Sequence, residues 1–290
     1  MSKRHLPAIF AASLLALSAT ALAAGDARVL RVCADPNNLP FSNARGEGFE
    51  NKIVELLADE LGARLSYAWW PQRRGFLRNT LLADECDIVS GTASGVEMLW
   101  PTRPYYRSGF AFVTRHDGPN VQSLDDSVLH RLRIGIQVVG EDGSNPPPSY
   151  ALARRGIIAN VRGYSVYGDY REAYPAARIM EAVATGEIDV AIVWGPIAGY
   201  FAQREDVPLR VSLVTPEIDG PRLPMAFDIS MGVRRNDREL RDELNAALYR
   251  LQPKIDAILA DYGVPRADGD RRAAAAHTEV QEPASGLHHP

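Results

Sequence analysis

Among side chains able to make or break bonds, this chain holds little that is arranged for turnover. Cys33 and Cys86 are its only thiols, and within the stretch that carries a folding pattern only His116 and His130 could serve as imidazole bases. Neither histidine stands at metal-ligand spacing or in a cluster resembling a nucleophile and its base. Asp35 and Glu97 are the acids at strand ends, and no acid–base pair accompanies either. The residues therefore describe a chain without catalytic groups, metal or cofactor. Binding chemistry is what they do concentrate. Trp69-Trp70 are followed by Arg73, Arg74 and Arg78, and mixtures of aromatics and arginine are typical anchors of protein interfaces. Cations at the start of the following helix also oppose its dipole, which favours a purpose for them, such as meeting an acidic partner.

The first 24 residues, MSKRHLPAIFAASLLALSATALAA, read as a cleavable signal peptide. Basic Lys3 and Arg4 precede a short apolar run, and Ala21-Leu22-Ala23 closes it as a cleavage pattern. The run is too short to span a bilayer, and no later stretch is long enough, so no membrane insertion is expected. The reading is export to a bacterial periplasm. Losing Lys3 and Arg4 with no acid takes the formal charge from −4 to −6. A mildly acidic chain without a Lys/Arg-rich run argues against nucleic acid as partner. In an oxidising compartment, Cys33 and Cys86 on neighbouring strands are expected to form a disulfide, with two buried thiols as the alternative.

These residues must be positioned by an alternation of strands and helices. VLRVCA is a strand, FENKIVELLADELG a helix stopped by Gly62, ARLSYAWW a strand, GFLRNTLLADE a short helix and CDIVSG a strand. The pattern restarts with LRIGIQVVG, PSYALARRGI, NVRGYSVY, ARIMEAVATGEI, DVAIVWG and PIAGYFAQ, which implies parallel sheets covered by helices. LLADECDIVSGTASG and AVATGEIDVAIVWGPIAG echo one another, so the two halves read as variants of one design. Asp87 and Asp189 are taken as structural, tying helix end to strand start. VSLVTPEIDGPRLPMAF reads as a polar link, DISMGVR as a returning strand, and the final helix as interrupted at Pro253. Residues 263–290 carry no apolar period and are expected to be a disordered tail.

This order of elements resembles the type II periplasmic solute-binding proteins over about residues 28–262, with GFENKIVELLADELG, ECDIVSG and TRPYYRSGFAFVTR as landmarks. The resemblance implies an α/β fold of two lobes, each a mainly parallel sheet flanked by helices, joined by two crossing strands, GFAFVTR and AFDISMGVR. Lobe 1 would comprise 25–112 plus 227–262, and lobe 2 would comprise 113–226. Within that group, LRVCADPNNLPFSN, WWPQRRGFLRNTL, PYYRSGF and DVAIVWGPIAGYF resemble the J proteins of methanol-oxidation gene clusters, of the MxaJ or XoxJ type. That resemblance implies a non-catalytic monomer that binds a PQQ-dependent methanol dehydrogenase (XoxF- or MxaF-type, with the lanthanide version favoured), and possibly its cytochrome c, to aid assembly or activation.

Amino-acid receptors of this fold grip a ligand carboxylate with an arginine in the turn after the third strand, and its amine with an aspartate on the second lobe. Here that turn reads Ser94-Gly95-Val96-Glu97-Met98, and the second-lobe strand ends in Trp194-Gly195. Both charged grips are missing, so a zwitterionic ligand is not expected. Strand ends in such sheets point at the crevice between the lobes. They bring Asp35–Phe41 (with Asn37 and Phe41), Trp69 and Trp70, Ser90–Gly95 (with Ser94), Glu97 and Trp194-Gly195 around it, with Trp100, Tyr105-Tyr106 and Gln137 nearby. Such a crevice suits either a docking surface or an apolar pocket. The competing functions are therefore a transport receptor for a small neutral or aromatic solute and a dehydratase-like enzyme on the same fold.

Overall fold

The opening strand, β1 (Val29–Ala34), has Leu30, Val32, Cys33 and Ala34 all buried. An unbroken apolar run demands cover on both faces, and a parallel sheet between helices supplies it. The structure, a computed structural model, describes residues 28–138, 145–165 and 170–267. The leader expected over residues 1–24 lies outside the described residues.

After β1 the chain makes a small antiparallel ribbon, β2 (Asn37–Asn38) with β3 (Ser42–Asn43), and enters α1 (Phe49–Glu60). Phe49, Ile53, Val54 and Leu57 form the buried face of that helix. Its entry is fixed by Asn51, whose Oδ1 accepts from the backbone N–H groups of Gly48 and Asn43. Only glycine fits at position 48, because a Cβ there would lie 2.0 Å from the Phe41 carbonyl oxygen. Then follow β4 (Arg64–Trp69), α2 (Phe76–Asn79), β5 (Ile88–Ala93), β6 (Trp100–Pro101) and β7 (Tyr106–Arg115). Strands β4 and β5 both run parallel to β1. The expected disulfide joins Cys33 of β1 to Cys86 just before β5, with Cα atoms 5.4 Å apart. It lies among buried Phe76, Leu81, Val89 and Leu99.

The second half contributes β8 (Ile134–Val138), α3 (Pro147–Arg154), β9 (Val161–Ser165), α4 (Arg178–Ala184), β10 (Val190–Trp194) and α5 (Gly195–Ala202). Next come β11 (Leu209–Leu213), β12 (Ile218–Asp219), β13 (Leu223–Pro224), β14 (Ala226–Val233) and α6 (Arg238–Asp261). The main sheet runs β4-β1-β5-β14-β7-β10-β8-β9. Its two ends are parallel, and β14 and β7 cross between them as an antiparallel pair registered from Ala226↔Gly109 to Ile229↔Tyr106. These are the two crossing strands expected from the sequence, and the lobes hang from them.

Three expectations need correction. The segment expected as a plain link contains β11, which pairs antiparallel with β7, and the β12–β13 ribbon. Its half-buried residues and flanking prolines hide the strand period. Helix α6 continues through Pro253. The carbonyl that loses its partner there is that of Tyr249, four residues back on the solvent side, where water can satisfy it. Residues 263–267, assigned to the tail, pack on the body. Val264 is buried, the Pro265 carbonyl accepts from Ser108 Oγ, and the Ala267 N–H donates to the Arg107 carbonyl. The remainder of that tail lies outside the described residues.

Asp87 and Asp189 are structural, though they tie strand to strand rather than helix to strand. Asp87 accepts from the backbone N–H and guanidinium of Arg31, and its own N–H donates to the Arg31 carbonyl. Asp189 repeats this pattern with Arg133 in the other lobe. In each case the arginine holds the carboxyl below its usual range, against the burial that would raise it. Both pairs span 56 residues, so the echo seen in the sequence is a repeated strand-entry lock.

Candidate functional site

The strand ends and the crossing strands enclose a cavity of about 460 Å³ between the lobes. Four of the residues expected at the crevice line it: Phe41, Tyr106, Gln137 and Trp194. Trp194 ends β10, and its ring meets Phe110 of β7 at 5.5 Å and Phe227 of β14 at 6.0 Å. It therefore sits where both crossing strands pass. The Trp194 backbone N–H donates to Gln137 Oε1 at 2.8 Å, locking the ends of β8 and β10 together.

The other expected residues lie elsewhere around the crevice. Asp35 is buried and spends its carboxylate on structure, accepting from the N–H groups of Asn37 and Gln72 and from the Tyr170 hydroxyl at 2.9 Å. Asn37 Nδ2 donates to the Glu172 carbonyl. These two residues are thus cross-links from one lobe to the other. Burial and the Asp35 charge push the Tyr170 phenol well up, so it remains a donor across the working pH range. Tyr170→Phe is expected to cost about 2 kcal/mol, as for a hydrogen bond to a charged group. The same variant should widen the lobe separation in small-angle scattering, and an unchanged scattering profile would show that the link does not hold the lobes.

Ser94 bonds across to β14 through the Asp228 carbonyl and Ser230 Oγ. Glu97 is exposed, and Trp69 stacks on Tyr67 at 4.4 Å. Trp100 lies beneath the Arg241 guanidinium at 3.8 Å, on the α6 side of the sheet. Trp70 is 41% exposed beside exposed Arg73 and Arg74, so this group forms an outward-facing aromatic and cationic patch. Met98, standing where the arginine grip would be, is 52% exposed and does not line the cavity.

Asn38 and Gly91-Thr92-Ala93, within the stretches expected at the crevice, also line the cavity, whereas sequence reasoning missed Glu50, Gln72, Phe110 and Phe227. Phe110 and Phe227 could have been found, since both crossing strands were recognised. Glu50 gave no signal, because an acid in the first turn of a helix is ordinary. It is buried, its Oε2 accepts from Ser90 Oγ at 2.6 Å, and desolvation raises its pKa to about 7. With the folded pKa above the unfolded one, this group's contribution to stability is full below about pH 4.5 and is lost as pH rises through about 7. No group of three metal-ligating side chains occurs among the described residues, and none of their helices is long and apolar enough to cross a membrane.

The family model for bacterial extracellular solute-binding proteins, family 3, matches residues 30–264. The chain belongs to that family. It is 38% identical over 269 residues to protein MoxJ of Paracoccus denitrificans, covering 88% of this chain and 94% of that protein. It is 33% identical to protein MoxJ of Methylorubrum extorquens, covering 83% of this chain and 82% of the relative. The crystal structure of periplasmic binding protein XoxJ from Methylobacterium extorquens AM1 is similar, with 37% identity and a TM-score of 0.67, covering 82% of this chain and 98% of that one. Against the charged grips of the family's amino-acid receptors, this member presents an aromatic cavity with one buried acid and no cationic side chain among its described lining residues.

Proposed function

We propose that this family member is a non-catalytic periplasmic accessory protein of a PQQ-dependent methanol dehydrogenase, of the lanthanide type. It would be exported by the leader over residues 1–24 and carry lobes of 25–112 plus 227–262 and 113–226. The observation that carries the reading is Met98, exposed and outside the cavity, in a chain similar to MoxJ and XoxJ along most of its length. A receptor frame without its carboxylate grip is free to serve a protein partner. The Trp70, Arg73 and Arg74 patch has the composition of an interface anchor and would meet an acidic surface of the dehydrogenase.

The direct test is a pull-down from a methanol-grown extract with the tagged full chain, where recovery of the dehydrogenase is expected. Replacing Trp70, Arg73 and Arg74 together with alanine should weaken capture at least about tenfold, the loss of one good anchor. Capture that is absent, or indifferent to these changes, would sink the docking role. The cavity favours a second reading, a receptor for a small solute, which a thermal-shift screen of metabolites would reveal.

A further inference from the structure

We infer that the cavity between the lobes takes a small organic cation, with an ammonium head against the Glu50 carboxyl and its carbon body on the aromatic walls. Glu50 is the only ionisable acid among the described lining residues, and no arginine or lysine there opposes it. It is 93% buried, since its relative exposure is 7%. Its Oε2 is taken by the Ser90 hydroxyl, while Oε1 has no hydrogen-bond partner among the described residues. Oε1 lies against Gly91, where any side chain would begin 2.0 Å away, so the glycine leaves the acid its place at the cavity wall.

The other polar lining groups are neutral, and three of them are partly engaged. Asn38 Nδ2 donates to Gln72 Oε1, and Gln137 Oε1 accepts from the Trp194 backbone N–H. Beside the free ends of these amides, the one charged group offered to a guest is the Glu50 carboxyl, among Trp194, Phe110, Phe227 and Tyr106. A buried carboxyl and several ring faces are the two groups that attract a poorly hydrated cation, by charge and by the ring quadrupole. The same walls repel a carboxylate, which agrees with the loss of the arginine grip at Met98. Of the titratable groups that face Glu50, Tyr67 of β4 and buried Tyr105 are phenols pushed above their ordinary value, so neither ionises near neutrality. Glu50 is therefore the group that titrates when a cation enters.

The test is calorimetric titration of the full chain with choline, against its neutral isostere 3,3-dimethylbutan-1-ol. Choline is expected to bind at least about tenfold more tightly than the alcohol. Its affinity should rise about tenfold from pH 6 to pH 8, as the carboxyl passes from mostly protonated to mostly ionised. Glu50→Gln should abolish both the preference and the pH dependence, with a melting temperature at pH 8 no lower than the parent's to show an intact fold. Trp194→Ala, with the acid retained, should weaken choline and spare the pH dependence. Equal binding of the two isosteres, no binding of choline up to about 10 mM, or full affinity in Glu50→Gln would overturn the inference. Docking is read separately at Trp70, Arg73 and Arg74, so the two readings can fail independently.

Discussion

Cys33→Ala combined with Cys86→Ala is expected to lower the melting temperature by about 10 °C, the largest effect of any pair of substitutions considered. The bond closes a loop of 53 residues. In the chain-entropy treatment, freeing a loop of that length costs about 4 kcal/mol. For a domain of this size each kilocalorie moves the midpoint by about 2–4 °C. The loop contains α1, β4 and α2, so the bond staples the central strand β1 to the entry of β5 around a whole strand–helix–strand unit. Loss of the two sulfurs would also loosen the pocket of Phe76, Leu81, Val89 and Leu99. Scanning calorimetry of the variant, and of the parent with and without reductant, checks this. A shift of less than about 2 °C, which is under 1 kcal/mol, would mean that the bond is not formed in the native protein. Alkylation of the unreduced parent should accordingly label neither cysteine.

Gly199→Ala should cost about 3 kcal/mol, although alanine is the better helix former. The added Cβ would lie 1.8 Å from the Gly263 carbonyl oxygen and 3.3 Å from the Pro265 ring. Helix α5 is therefore packed directly on the segment that leaves α6. Around the contact, Tyr200 stacks on Tyr262 at 5.5 Å and Arg204 lies over Tyr200 at 3.5 Å. In a chain ending at Tyr262 the obstacle is gone. There the same substitution should be neutral or stabilising by up to about 1 kcal/mol, from helix propensity alone. This reversal of sign is the diagnostic. An equal cost in both backgrounds would show that the terminal segment is not what α5 rests on.

The parts of this fold that were legible in the sequence are those where burial dictates residue type on both faces. The strands of the two parallel sheets and the crossing strands β7 and β14 have apolar runs that little else explains. The paired Asp87 and Asp189 were visible because each lobe repeats the same arginine–aspartate lock. Strand β11 was not legible, since it lies at an edge with every residue only half buried. At the crevice, position along a strand gives a residue's height but not the direction of its side chain. Phe41, Tyr106, Gln137 and Trp194 face the cavity, while Trp100 turns to Arg241 and Asp35 to its own loop and Tyr170. Glu50 stayed hidden because only the packing of α1 on Gly91 of β5, forty-one residues on, decides that it is buried rather than solvated.

The contact between residues 263–267 and α5 also bears on the order in which the molecule is completed. The elements from β8 to β11 lie in the chain between the crossing strands β7 and β14, and they emerge during synthesis well before α6. The groups that fasten the lobes at this side, Val264, Pro265 and Ala267, follow the last helix. Every nascent or prematurely ended chain therefore lacks this fastening, however much of both sheets it has formed. Fixation on this side, unlike the Asp35–Tyr170 link, is a late event, and protease resistance of α5 and the segment after α6 should mark the full-length product.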